Sequence, residues 1–405
     1  MKMLFYEMRK TIFRKYMILV LGVLMVLNVV NSYIQYCQAG TGFSDIITKK
    51  QVSESQWEYY QQLHQKLDGD ITKEKVEFVA KENSKMERAW RVGDSREVAE
   101  NAGSVLADYT MISTNFYNPL KYMVNYKVRS DEITKKAKEN ISLYSEKNNV
   151  FEKERNQFIV NRYENRKLDT FFDAQGWKKL FEYDYSDLFI FMLLLLAIIP
   201  IYYNENKNAM SEIILTTKQW ERGYISKKKT ALVLWAVFLV MFFAICNYIT
   251  FACMYGLPYA TAKLFTIPEY EYTSLNVSLI GFYMIENVLK CLSLVFGVEI
   301  LIIISRRIKN IYAIYLMFIL LLVAGLFCSG YVCSSKPVET VIAIINPLSG
   351  LKASEIYKQC KGVNLCNHYV PWVVAFLVLQ MIISLIVHLY DKRSLSARRY
   401  KSYDS

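Results

Sequence analysis

The order in which apolar and polar stretches alternate constrains this chain more than any short motif. A basic N-terminus leads into an apolar run near Tyr16–Tyr36, and a long polar segment follows. Five further apolar runs then fall near Asp187–Tyr203, Ala231–Tyr255, Leu275–Ile304, Ile311–Cys333 and Val370–Tyr390. At 1.5 Å of rise per residue, about 20 apolar residues cross a hydrocarbon core of roughly 30 Å. The Asp187–Tyr203 run is the shortest, and Phe181 to Tyr185 extend it into the interface. The expected fold is all-α: a six-span transmembrane helical bundle with a helical extracytoplasmic domain inserted after the first span. Residues 1–36 form an amphipathic N-terminal helix and the first span, 37–185 the inserted domain, and 186–405 the five-span domain with a basic tail.

Charge sets the expected orientation. The N-terminal segment, the loops after the second and fourth spans and the C-terminal tail together hold 19 Lys and Arg residues. The two short loops on the other face hold only Lys263, Lys336, Lys352, Lys358 and Lys361. Short cytoplasmic loops carry the excess of basic residues, so both termini are expected inside and residues 38–184 outside, in a multi-pass cell-membrane protein. That outer segment carries 24 basic and 24 acidic residues, so the net charge of +12 belongs to the rest of the chain. Topology accounts for the basic pI, and a nucleic-acid partner is not implied.

The N-terminus admits a second reading. A basic lead, an apolar run and the small residue Ala39 also describe a cleaved secretory signal. The length of the polar lead and of the run, and the presence of Asn28 and Asn31, favour a retained bundle helix. Leu4, Phe5, Met8, Ile12 and Phe13 fall at helical spacing between basic residues, a pattern suited to a helix lying on the inner leaflet or to a frayed basic tail.

The inserted segment reads as helical. Its single proline between Phe43 and Asp184 is Pro119, and Ile133, Ala137, Ile141 and Tyr144 recur at three- and four-residue steps, followed by Phe151 and Phe158. Asp70 and Thr72 are candidate caps for a helix beginning near Lys73. Chemistry-bearing patterns are missing. The three histidines, His64, His368 and His388, are scattered, no paired Cys-x-x-Cys occurs, and neither a phosphate-cradling Gly-x-x-x-x-Gly-Lys-Ser/Thr loop nor a Gly-x-Ser-x-Gly turn is present. No catalytic residue, cofactor or metal site is expected. Cys360 and Cys366 are close enough in sequence for a small-loop disulfide, a question the sequence leaves open.

The loop after the second span is the most specific segment. It reads Glu205-Asn-Lys-Asn-Ala-Met210-Ser-Glu212-Ile213-Ile214-Leu215-Thr216-Thr217-Lys-Gln-Trp-Glu-Arg222 and closes on Lys227, Lys228 and Lys229. Met210, Ile213, Ile214 and Thr217 share a helical stripe, flanked by Glu205, Glu212 and Arg222, so a short helix over 205–222 can lie flat and present one face to a partner. An ordinary amphipathic connector would show the same stripe.

This segment resembles the coupling helix of ABC transporter permeases of the type-2 exporter class. Glu205, Glu212, Leu215, Thr216, Arg222 and Lys229 match that pattern in order. Ala209 stands where glycine is commoner, and Lys218 where proline often sits. Gly176-Trp177 followed by Leu180-Phe181-Glu-Tyr183 ahead of the second span also resembles permeases with a large outer domain. So does the broken apolar stretch Val338–Ile345 with Pro347 and Gly350, which suits a short re-entrant helix. The resemblance implies a permease subunit of an ATP-driven exporter, in which a second permease chain and a cytoplasmic ABC ATPase complete the assembly. ATP is bound by the ATPase. The implied cargo is a peptide, antibiotic or lipid-like molecule. A different class of reading is an ATPase-coupled or kinase-coupled sensor or mechanotransmitter whose outer domain binds a ligand without transport.

Three charged residues interrupt the fourth span. Glu286 and Lys290 stand one helical turn apart, and Glu299 lies deeper. A lone charge at the bilayer centre costs about 2.5–3.5 kcal/mol on insertion scales, and an i,i+4 pair offsets part of that. The three form a candidate intramembrane polar patch, either a structural ion pair or a lining of a substrate route or dimer seam.

Overall fold

The computed structural model describes residues 14–38, 52–93, 96, 98–101, 103–207, 224–308, 310–334 and 336–403. The chain is mostly helical, and among the described residues five helices are long and apolar enough to cross a membrane. These are α1 (Lys15–Gln38), α9 (Tyr224–Tyr255), α10 (Leu279–Arg307), α11 (Ile311–Ser329) and α14 (Trp372–Tyr403). Between them lies α8 (Tyr185–Lys207), whose Leu193, Ile198 and Ile199 are fully buried. A helix that is apolar on every face belongs at the centre of a bundle, and α8 sits there, touching α1, α9, α10 and α11. By contrast only 11% of the apolar window of α11 is buried, against 44% for α9 and α10, so α11 is peripheral and its Leu316, Leu320 and Phe327 face outward.

The insertion between α1 and α8 folds as helices with short caps. These are α2 (Glu54–Leu67), α3 (Lys73–Val92), α4 (Val105–Ile112), α5 (Asn118–Glu146), α6 (Val150–Tyr163) and α7 (Gln175–Glu182). Of the two cap candidates ahead of α3, Thr72 is the one used: its Oγ1 accepts the Lys75 backbone N–H at 3.3 Å. Gly93 ends α3 in the left-handed conformation, φ +69°. Pro119 stands near the start of α5, where the helical backbone runs on without a break from α4. A single π-helical turn, Ser113–Tyr117, precedes it. The residues that recur along α5 are buried or half-buried, with Ala137 the most enclosed. The domain's core gathers Tyr60, Leu67, Met86, Phe116, Tyr126 and Phe171.

Two short antiparallel ladders modify the all-helical expectation. Gly69–Asp70 (β1) pairs with Thr170–Phe171 (β2), and Gly362–Leu365 (β3) pairs with His368–Pro371 (β4). The second is a tight hairpin turned by Cys366 and Asn367, both at positive φ (51° and 70°). Such a turn normally advertises itself as Asn-Gly or Asp-Gly, and Cys-Asn gives no such signal. Cys360 and Cys366 are separate free thiols, with the Cys360 Sγ 3.8 Å from the Tyr369 hydroxyl. Helix α10 also starts later than its apolar run, at Leu279, because Ser278 caps it through the Gly281 N–H at 3.2 Å.

The broken apolar stretch after α11 forms a short helix followed by tight turns. Helix α12 (Pro337–Ile345) has nine residues, a 3-10 turn covers Pro347–Lys352, and α13 is Ala353–Tyr357. Gly350 packs so tightly on α10 that a Cβ there would stand 2.1 Å from the Ser293 Oγ.

The insertion is seated on one end of the bundle through several contacts. Phe265, from the segment joining α9 to α10, enters the insertion's core and stacks on Tyr126 at 5.1 Å, and its carbonyl accepts the Tyr122 hydroxyl at 2.8 Å. Arg129 pairs with Glu271 at 3.1 Å. On the far side, Phe151 and Phe158 of α6 pack on Tyr369 of β4, and Glu154 accepts both the Tyr369 backbone N–H (2.9 Å) and a contact from His368 (2.8 Å). The insertion, the 256–278 segment and the β3–β4 hairpin therefore share one end of the bundle.

Candidate functional site

Polar side chains within the bundle collect into three groups. The first lies at the insertion-side end. Asn28 of α1 is fully buried and donates to Asn247 of α9 at 2.7 Å; Asn247 in turn donates to Ser186 at 3.1 Å, and the Tyr183 hydroxyl donates to Asn28 Oδ1 at 2.9 Å. Asn31 donates to the same tyrosine at 3.3 Å. These bonds tie α1, α9 and the entry to α8, which answers why an apolar run carries two asparagines. In lipid, where apolar burial no longer draws helices together, each such bond contributes about 0.6 kcal/mol.

The second group is an ion cluster. Lys290 Nζ lies 3.4 Å from Glu286 Oε1 within α10 and 3.5 Å from Asp187 Oδ2 at the start of α8. All three residues are at least nine-tenths buried. Helical spacing brings Glu286 and Lys290 together as expected, and α8 supplies the second carboxylate. One ammonium thus serves two carboxylates. Glu286 Oε2 is buried without a hydrogen-bond partner among the described residues. Asp187 was legible as the single charge in the first turn of the second apolar run, but nothing in the sequence sets it opposite Lys290. A cavity of about 140 Å³ opens beside the cluster, walled by Asp184, Glu286, Lys290, Lys352 and Glu355, and Lys352 pairs with Asp184 at its rim (2.7 Å). Polar residues thus continue from the buried cluster to the insertion-side surface.

The third group separates Glu299 from the other two candidates. Glu299 lies thirteen residues beyond Glu286 on α10, about 20 Å along the axis. It joins a different set: Lys229 Nζ of α9 is 2.6 Å from Glu299 Oε1, and the Ser384 hydroxyl of α14 donates to Glu299 Oε2 at 2.5 Å. The single polar patch expected along α10 is therefore two clusters at opposite ends of that helix. Lys229 is the residue that closes the 205–229 loop, and here it is paired with α10, whose Glu299 also accepts from α14. Sequence reading named Lys229 and Glu299 without pairing them, since their partnership depends on how α9 and α10 pack.

Of the loop candidates, Glu205 falls within the helical backbone of α8, which runs to Lys207. Met210, Glu212, Ile213, Ile214, Thr217 and Arg222 lie outside the described residues. No family model, curated protein or solved structure matches this chain.

The Gly176–Trp177 pair has a definite structural task. A Cβ on Gly176 would stand 2.3 Å from the Gly256 carbonyl oxygen, so only glycine lets α7 approach the chain leaving α9 this closely. Trp177, fully buried beside it, donates its indole N–H to the Pro258 carbonyl at 2.8 Å. Helix α7 is thereby bound to the insertion-side end of α9 before the chain enters α8.

Proposed function

We propose that this chain is the membrane-spanning permease subunit of an ATP-driven exporter of the type-2 class, working with a separate cytoplasmic ATPase and a second permease chain. The observation that carries the reading is where the coupling-like loop ends. The loop spans α8 and α9, the central helices, and its last matching residue, Lys229, pairs with Glu299 of α10, which in turn accepts the Ser384 hydroxyl of α14. A push on that loop would reach α8 directly and α9, α10 and α14 through one ion pair and one hydrogen bond. The long loop and its stripe of Met210, Ile213, Ile214 and Thr217 supply the surface on which an ATPase would push.

Six crossings belong to the same proposal. The insertion follows α1, the 256–278 segment follows α9, and both sit on one end of the bundle. If α9 crosses, the chain must reach its start from that same end, so α8 crosses as well. Together with the count of basic residues, this parity supports a reading with both termini and the coupling loop in the cytoplasm and the insertion outside.

The test is co-purification of the ATPase with the permease. Ile213→Asp puts an unpaired charge into the apolar stripe and should abolish association, because a few buried anchors carry most of an interface's energy. Arg222→Ala, on the rim, should weaken it less. Membrane insertion should survive both. Wild-type co-purification and cargo protection in Ile213→Asp would remove the exporter reading. A specific observation keeps the sensor reading in view: the insertion grips the bundle at Phe265, Glu271 and Tyr369, contacts through which a ligand-induced movement would be passed inward. Retained signalling output without ATP-dependent efflux would favour it.

A further inference from the structure

A cavity of about 400 Å³ lies where the end of the insertion meets the 256–278 segment, away from the buried ion clusters and the coupling loop. Arg166, Lys167, Asp169 and Thr170 of the insertion form one wall, and Tyr259, Lys263, Phe265 and Thr266 the other. Its charges do not balance. Asp169 is the single carboxylate on the lining and pairs with Lys167 at 2.7 Å. Arg166 and Lys263 remain, neither with a carboxylate partner among the described residues.

Arg166 is 97% buried, since its exposure is 3%. The guanidinium is held between the rings of Tyr163 (4.2 Å) and Phe265 (4.7 Å). It donates to the Arg162 carbonyl at 2.8 Å, the Tyr126 hydroxyl at 3.3 Å and the Leu275 carbonyl at 3.5 Å. All three acceptors are neutral. Of the five N–H donors of an arginine, two are left over. Buried cations are otherwise matched by a carboxylate, because a charge removed from water without a counter-charge is costly. Across the cavity, Thr266 is 2% exposed and is part of the lining. The insertion as a whole is electrically balanced, so this excess of two positive charges is a local feature and not part of a general basic surface.

We propose that this cavity binds a phosphate-type oxyanion, held by the spare donors of Arg166, the ammonium of Lys263 and the hydroxyl of Thr266. A phosphate monoester carries about −1.5 to −2 charges at neutral pH, which matches the two uncompensated cations, and an arginine fork suits its oxygens. The volume admits a phosphate with a small organic body or a lipid headgroup. Because the two walls come from different parts of the chain, the bound anion would bridge the insertion to the membrane bundle. The site owes nothing to the exporter reading and is tested without an ATPase.

The full-length chain is reconstituted in phosphatidylcholine nanodiscs and titrated with pyrophosphate, following binding by calorimetry and the thermal midpoint. A parallel set of discs contains phosphatidylglycerol. Wild-type protein should bind pyrophosphate or be stabilised by the anionic lipid. Lys263→Glu should weaken that response at least tenfold, and Thr266→Val should weaken it to a smaller degree, while Lys358→Glu leaves it unchanged. Lys263 is exposed and Thr266→Val conserves volume, so both variants keep the fold where Arg166→Gln risks it. A response to pyrophosphate identifies a soluble anion as the ligand, and a response confined to the phosphatidylglycerol discs identifies a headgroup. No response in either set, or an equal response in Lys263→Glu, would overturn the proposal.

Discussion

A lysine shared between two carboxylates behaves differently from a simple pair when one member is removed. After Glu286→Gln, Lys290 still faces Asp187 at 3.5 Å, so the ammonium keeps a counter-charge. After Lys290→Met, two buried carboxylates confront each other with no cation between them. Breaking a buried ion pair by deleting one partner costs about 3–5 kcal/mol. That range is expected for Lys290→Met, and a clearly smaller loss for Glu286→Gln, read as unfolding midpoints of the purified chain in detergent. Had the helix contained only the i,i+4 pair visible in the sequence, the two variants would be equally harmful; that result would remove Asp187 from the cluster. Gly176 gives a second residue-scale prediction. A methyl group there meets a backbone oxygen that no rotamer change can move aside, so Gly176→Ala should destabilise the α7–α9 seam by roughly 1–3 kcal/mol. Gly22→Ala, with nothing within 4 Å of its added methyl, is the neutral comparison.

Elements that depend on a local pattern were legible from the sequence, and those that depend on distant partners were not. Five of the six apolar runs mark helices that are, among the described residues, long and apolar enough to cross a membrane, because each carries its own length criterion, and Thr72 marks a helix start by its own chemistry. The short helix Pro337–Ile345 was visible as an apolar stretch too short to span. The β3–β4 hairpin was not, because its turn uses Cys-Asn and its eight strand residues lack a repeating alternation. What holds that hairpin is a contact more than two hundred residues distant in sequence, with Glu154 accepting the Tyr369 N–H and facing His368. Those two donors hold the Glu154 carboxyl below the usual carboxylate range, the Tyr369 N–H contributing most. A carboxyl lowered by folding contributes stability that is full above its unfolded value and is lost as the pH falls through the folded one. The docking of α6 on the hairpin is therefore expected to hold at neutral pH and to loosen in acid below the ordinary carboxylate range. Hydrogen exchange at the Tyr369 amide should show protection that falls with acidity more than intrinsic exchange accounts for, and Glu154→Gln should remove that pH dependence.

At the scale of the whole molecule, the arrangement of segments around the bundle and the distribution of charge are independent lines of support for the proposed topology. The first is geometric. The insertion touches the segment after α9 and the hairpin before α14, so three stretches separated in sequence lie at one end. The second is electrostatic: the short loops at that end carry five basic residues, against nineteen in the remaining short segments. Neither line uses the other, since the packing of the insertion does not depend on membrane charge rules. The expected outcome is that Lys85→Cys, on an exposed face of α3, is labelled by an impermeant maleimide in intact cells, in a background stripped of native cysteines. Ser226→Cys, at the exposed start of α9, should be labelled only after permeabilisation. The opposite pattern would invert the protein and place the coupling-like loop where no cytoplasmic ATPase reaches it. Labelling of both sites in intact cells would mean that α8 does not cross, and with it would go the path from that loop through α8 to the buried cluster of Asp187, Glu286 and Lys290.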